Sequence, residues 1–444
     1  MKPDNFQELL DRLTKIEVSL SQDEKKNLLS ESYFQRFHQE LVKMKTNAEK
    51  ILTRDRTLKI GVIGQIKAGK SSFLNALVFD GEDILPKAAT PMTAALTKIV
   101  YGEKSQAEVF FYTLQDWENG IEKLADRYHH LFEEEWRSRK QHFSSLNSDF
   151  VLQRAVAHEI EQEFPNEAAA HQLVEMSRKC SVTIQEMPVS KVVPLDNMHE
   201  NLKAYIGAEG AYTPFVKYLV LQINNPLLKG LEIVDTPGLG DPILSRSQKT
   251  NDFLIQCDIV FLLSATSQFL NREDLALLQH TLPAEAVQEA VLVGTKFDQA
   301  LLEDPSRNPR PLRDVVLTTS KKITQSARNI LEQECKDASQ NKVMAKVQRS
   351  LPPQFTSSIL YAAARKIEQG KTLGVDENHI LSQLERRFTG VESSNPKFLM
   401  GLANINRLKK REFDKVHAEK EEIIAKKNSF LHKRKAACFF ETAR

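Results

Sequence analysis

Residues that break helices are scarce in this chain. Glycine and proline number 16 and 17 among 444 residues, so long stretches carry nothing to interrupt a helix, and a mostly helical protein is expected. Only four cysteines occur, Cys180, Cys257, Cys335 and Cys438; their wide separation excludes a disulfide framework and paired zinc spacing. No run approaches the roughly 18 apolar residues of a membrane span, and residues 1–20 lack the apolar stretch of a signal peptide. Charge of one sign is missing too. Against 61 Lys and Arg stand 59 Asp and Glu, a net charge of +2, too balanced for a nucleic-acid binder. What is there is ordinary globular usage, 41% apolar and 27% charged, which excludes wholesale disorder. The length allows roughly two to four domains. A soluble protein of a reducing compartment is expected.

Three regions differ in pattern. Residues 1–56 read as an N-terminal helical segment. Within it Phe34, Phe37, Leu41, Met44, Ala48 and Ile51 form a heptad seam behind a Ser32-x-x-Gln35 capping box. Two heptads are too few to stand free, so the seam is expected to pack on another helix of the chain, with self-association as the other reading. Residues 57–370 read as an α/β domain with a mostly parallel central sheet. Its expected strands are 58–63, 94–101, 107–112, 216–223, 231–234, 258–263, 290–293 and 359–361. Helical insertions are expected near 114–178, where Trp117, Ile121, Leu124, Tyr128 and Leu131 follow helical spacing, and near 313–350. Residues 371–444 return to charged helix. Between Arg407 and Lys435 eleven Lys and Arg face five Asp and Glu, which suits a solvated helix face or an anionic membrane or partner surface.

Chemistry concentrates in three motifs. Gly64-Gln65-Ile66-Lys67-Ala68-Gly69-Lys70-Ser71 fits G-x-x-x-x-G-K-[ST], between an expected strand and helix. Glycines let backbone N–H groups converge on a phosphate, and the helix after the loop adds its positive end. Lys70 then serves the β- and γ-phosphates, and the Ser71 hydroxyl ligates Mg²⁺. Downstream, Asp235-Thr236-Pro237-Gly238 ends an apolar strand. A carboxylate there holds the metal through water, and Gly238 approaches the γ-phosphate through its backbone. The third motif, Thr295-Lys296-Phe297-Asp298, comes directly after the strand Ala290–Val293. A carboxylate at Asp298 accepts from the ring N–H and exocyclic amine of guanine, a donor pair that adenine lacks. The Lys296 stem lies along the base. Ala362-Ala363-Ala364 is a weaker expectation for backbone contacts to the base. His129-His130 reads as surface, because no second Cys/His cluster lies nearby.

With Ser72-Phe73-Leu74-Asn75, Leu85-Pro86, Pro91-Met92-Thr93-Ala94 and Tyr101-Gly102 added, the chain resembles the dynamin superfamily of large GTPases, specifically the bacterial dynamin-like proteins. The resemblance runs along the whole chain but is specific only over 58–101 and 216–300. It implies GTP and GDP as ligands with Mg²⁺, and a switch threonine at Thr93 that closes on the metal and positions the attacking water. It further implies dimerisation through GTPase domains, and a helical neck from both termini that acts on membranes, alone or with a paired dynamin-like chain. The cytoplasm, with peripheral attachment at the inner face of a membrane, is the expected location. Two departures stand out. The family places a long stalk where this chain has only the residues after 370. It also has serine in eukaryotic members where Lys67 stands, so Lys67 is a candidate replacement for the monovalent cation that such a serine helps to hold. The other functional reading is a slow GTP-gated switch that holds a protein partner.

Overall fold

The computed structural model describes residues 57–65, 67–85, 96–140, 146–194, 198–207, 210–235, 257–281, 287–305, 308–337 and 342–420. The chain divides into two units. One spans Lys59–Asp414; the other consists of Met1–Leu58 and Lys415–Arg444. The Phe34–Ile51 seam and most of the basic tail lie outside the described residues.

The first unit is built on strands β1 (Leu58–Gly64), β2 (Leu96–Tyr101), β3 (Gln106–Phe111), β4 (Ser190–Pro194), β5 (Val216–Ile223), β6 (Leu231–Asp235), β7 (Ile259–Ala265), β8 (Glu289–Thr295), β9 (Arg310–Pro311), β10 (Gln354–Phe355) and β11 (Phe388–Thr389). Nine of them form one sheet in the order β10-β8-β7-β1-β6-β2-β5-β3-β4, and β9 pairs with β11. Pairing is parallel through β10, β8, β7 and β1, with Ile60 opposite Ile259 and Ala265 opposite Thr295. It is antiparallel between β2 and β6 and through β5, β3 and β4. Burial matches this division. Ile259-Val260-Phe261-Leu262-Leu263-Ser264 is buried at every position, as a strand covered on both faces must be, whereas β3 alternates half-buried and buried residues.

Both expected insertions are helical. The first holds helices Lys123–Lys140, Leu146–Glu163 and Pro165–Arg178, gathered on a core of Tyr128, Leu152, Val156, Ile160 and Ala168. The second holds Leu312–Asp337 and Lys342–Arg349. One expected strand is a helix instead. Residues 359–361 lie in the helix Ser358–Glu368, started by Ser357, whose hydroxyl accepts from the Leu360 N–H at 3.3 Å. A short apolar run suits strand and helix alike; here the cap and three adjoining alanines decide. The first unit also continues past 370, because Leu399, Ile405, Leu408 and Phe413 are fully buried. Phe413 stacks on Phe261 of β7 at 5.8 Å between ring centres, and Phe261 meets Phe73 edge-on.

Candidate nucleotide site

The loop from β1 to the helix Lys70–Val78 owes its path to two glycines. A Cβ on Gly64 would lie 2.4 Å from the Leu263 carbonyl oxygen, so only glycine lets β1 and β7 pass here. Gly69 caps the helix at φ 86°, a left-handed conformation that costs other residues about 1 kcal/mol or more. Having no side chain, Gly69 leaves the first-turn N–H groups to a ligand, and no acidic residue occupies that turn. Lys67 adopts φ 64° and is exposed, while Ala68 is buried.

Lys70 points back over its own loop. Its ammonium donates to the carbonyls of Gly64 (2.9 Å) and Gln65 (3.0 Å) and is almost wholly buried. Burial pulls its pKa down, and the charge of Asp235 opposes that shift. Asp235 shows the converse. Burial pushes its carboxyl up to about 7, although Lys70 draws it down. Both shifts have one cause, since two charges are held away from water with too little opposite charge around them. Asp235 Oδ1 is buried and lacks a hydrogen-bond partner among the described residues. An orphaned carboxylate oxygen, with the half-buried Ser71 hydroxyl on the phosphate loop, is the donor set of a Mg²⁺ ion that completes its shell with phosphate and water. The residues therefore fit the metal that the motif implies.

At the other end, Thr295 closes β8 and its hydroxyl donates to the Ala68 carbonyl at 2.6 Å. Thr266 secures the next turn, its hydroxyl lying 3.0 Å from the Thr295 carbonyl and 2.9 Å from that of Lys296. Lys296 is left-handed at φ 55°, which turns the chain so that Asp298 enters the helix Phe297–Leu302 beside the loop after β10. There the Ser357 hydroxyl donates to Asp298 Oδ1 at 2.6 Å. Burial raises the Asp298 pKa, and the bond from Ser357 limits the rise. A cavity of about 600 Å³ lies beside Asp298 and reaches the end of the phosphate loop, lined among others by Gly69, Ser72, Thr295, Lys296, Asp298 and Ile359.

The fold thus brings Gly64, Gln65, Lys67, Ala68, Gly69, Lys70, Ser71, Ser72, Asp235, Thr295, Lys296 and Asp298 to one end of the sheet. Ile66, Thr93 and Gly238 lie outside the described residues. The alanine expectation needs correction: Ala363 and Ala364 are fully buried inside a helix, and only Ala362 lines the cavity. Thr356 and Ser357 sit beside Asp298 instead, held by bonds from the Thr356 N–H to the Gly294 carbonyl (2.7 Å) and from the Phe297 N–H to the Thr356 carbonyl (3.0 Å). Neither Ser357 nor Thr266 is singled out by the sequence: with 359–361 read as a strand, Ser357 has no helix to cap.

Known proteins resemble this chain. Dynamin-like protein 1 of Campylobacter jejuni is 26% identical over 283 residues, covering 63% of this chain and 32% of its own. Dynamin-like protein A of Bacillus subtilis is 27% identical over 241 residues, covering 51% and 18%. The chain therefore spans a third or less of the length of these relatives. A solved structure of an oligomerised bacterial dynamin pair, described as a mechanism for long-range sensing and tethering of membranes, aligns with a TM-score of 0.47. That alignment is at 20% identity and covers 98% of this chain and 55% of the other. Residues 60–296, from within β1 to the turn after β8, match the dynamin family. That stretch is more than half of the sequence and holds both the phosphate loop and the Asp235 strand, so the chain belongs to the dynamin family.

Proposed function

We propose that the chain is a Mg²⁺-dependent GTPase that hydrolyses GTP to GDP and phosphate. The bond from the Thr295 hydroxyl to the Ala68 carbonyl carries this reading, because it ties the loop that would cradle phosphate to the turn that carries Asp298, and both line one cavity. Lys70 leaves its loop carbonyls for the phosphates, where its charge offsets what develops on the bridging oxygen. Mg²⁺ would be held by Ser71 and Asp235, and would supply positive charge beside the phosphates. Asp298 keeps lone pairs free for guanine beyond the bond from Ser357. Among the described residues of the phosphate loop no glutamine is free to orient water, since the Gln65 amide is bonded elsewhere. Hydrolysis by a lone chain is therefore slow, and a second copy meeting the GTPase domain is the activator that we assign. A cytoplasmic protein attached peripherally to a membrane, by itself or with a paired dynamin-like chain, is the setting that the family suggests.

Asp298→Asn tests the base assignment. The variant should bind GTP at least roughly 100-fold more weakly and gain affinity for xanthosine triphosphate, whose second carbonyl accepts from the new amide. Titration with GTP, ATP and xanthosine triphosphate reads this directly. Equal affinity of the wild type for ATP and GTP would overturn the guanine reading.

A further inference from the structure

Gln65 occupies the second place of the phosphate loop, and its side chain is spent on something other than nucleotide. Its amide nitrogen lies 2.5 Å from Asn271 Oδ1 and 2.8 Å from Asp274 Oδ1. The orientation is fixed rather than chosen. Asn271 Oδ1 also accepts from the Asp274 N–H at 3.0 Å, so this oxygen must be an acceptor, and only the nitrogen of Gln65 can face it. Asp274 is 1% exposed. Its second oxygen accepts from the Ser264 hydroxyl at 2.6 Å, and that hydroxyl accepts from the Leu270 N–H at 2.9 Å. The end of β7, the turn after it and the start of the helix Arg272–Thr281 thus form one network that opens toward the phosphate loop at a single side chain.

The network reaches the chemistry through backbone. The carbonyl of Gln65 accepts from Lys70 Nζ at 3.0 Å and from the Ala68 N–H at 3.1 Å. Fixing the Gln65 side chain therefore fixes the peptide that holds Lys70 and begins the cradle. A buried carboxylate supported by neutral donors loses much when one is withdrawn, so the anchor is stiff.

We propose that Asn271 and Asp274 are positioning residues for the phosphate loop, acting through the Gln65 amide to set the carbonyl on which Lys70 rests. The proposal rests on the guanine-nucleotide reading of the site and adds to it two residues from a distant segment.

Reversing the polarity of the contact tests it in the full chain, with GDP and GTP affinities as the readout. Gln65→Glu places a carboxylate against Asp274 and against Asn271 Oδ1, and should weaken GDP and GTP alike by roughly 30-fold or more. Asp274→Asn alone must turn its amide nitrogen toward either Gln65 or Ser264, so it should weaken both nucleotides, but by less than Gln65→Glu does. Combined, the new asparagine amide donates to the new glutamate, and the pair should regain at least roughly tenfold of the lost affinity. If Gln65→Glu does not fold, Gln65→Met, of similar length but without donors, should weaken both nucleotides by roughly tenfold. A Gln65→Glu or Gln65→Met protein binding like wild type would overturn the positioning role, as would a double variant no better than Gln65→Glu. A wild type that binds no guanine nucleotide would instead sink the site reading itself.

Discussion

Lys67 and Lys70 stand three places apart on one loop in opposite surroundings. Lys70 is buried and engaged; Lys67 is exposed at a left-handed turn. A buried ammonium already lowered in pKa by its site is poised to gain from phosphate charge. An exposed one is screened until a partner surface or a nucleotide excludes water around it. If Lys67 supplies the positive charge that a monovalent ion supplies in eukaryotic relatives, wild-type turnover should not change when K⁺ is replaced by a bulky organic cation at constant ionic strength. Lys67→Ser should then be slower and should recover with K⁺ or Na⁺. Unchanged turnover in Lys67→Ala would refute this role. At this scale the motifs were legible, because a P-loop states its chemistry in eight consecutive residues. Asn271, Asp274 and Thr266 were not: the partners of Gln65 lie 206 and 209 positions away, and no local pattern encodes such a meeting.

Elements were legible where period and burial agree. The parallel centre declared itself by unbroken apolar runs such as Ile259–Leu263, and the insertions by helical spacing around Trp117 and Ile121, both buried. Short elements escaped. β10 has two residues and β4 only five, with Val192 exposed on it; neither gives a periodic signal, and both exist because neighbours offer pairing partners. The end of the first unit is hard to read for a related reason. Charged and apolar residues are interspersed over 371–414 without a clear period, and every few positions one apolar side chain reaches the core. Phe413 is the clearest, fully buried against β7, the strand beside the one that leads into the phosphate loop. Phe413→Ala should cost roughly 3–5 kcal/mol in chemical denaturation, the penalty of a core aromatic. A cost below about 1 kcal/mol would show that the last helices are only loosely attached.

For the whole molecule the test is stoichiometry. A GTPase activated by a second copy should show specific activity that rises with protein concentration and then saturates, because the active fraction tracks the dimer. Flat, near-zero turnover at every concentration would favour the slow GTP-gated switch instead. The neck expected from residues 1–56 and the last helices is what the family resemblance implies, while the heptad seam and the basic excess noted there bear on packing partners rather than on the site. Sequence pattern identifies such surfaces well and their occupants poorly, since an apolar seam specifies that it must be covered but not by which copy.

The bond from Thr295 to Ala68 spans 227 positions, and its consequence is one of timing. A ribosome adding about 5–20 residues per second needs roughly 11–45 s to pass from one partner to the other. Throughout that interval the phosphate loop exists without the residue that ties it to the base pocket, and closing so long a loop carries an entropic cost that only the assembled parallel sheet offsets. On the proposed reading of the site, nucleotide capture is thus a late event in the birth of this chain, with GTP a ligand of the finished fold and not a guide for the nascent one.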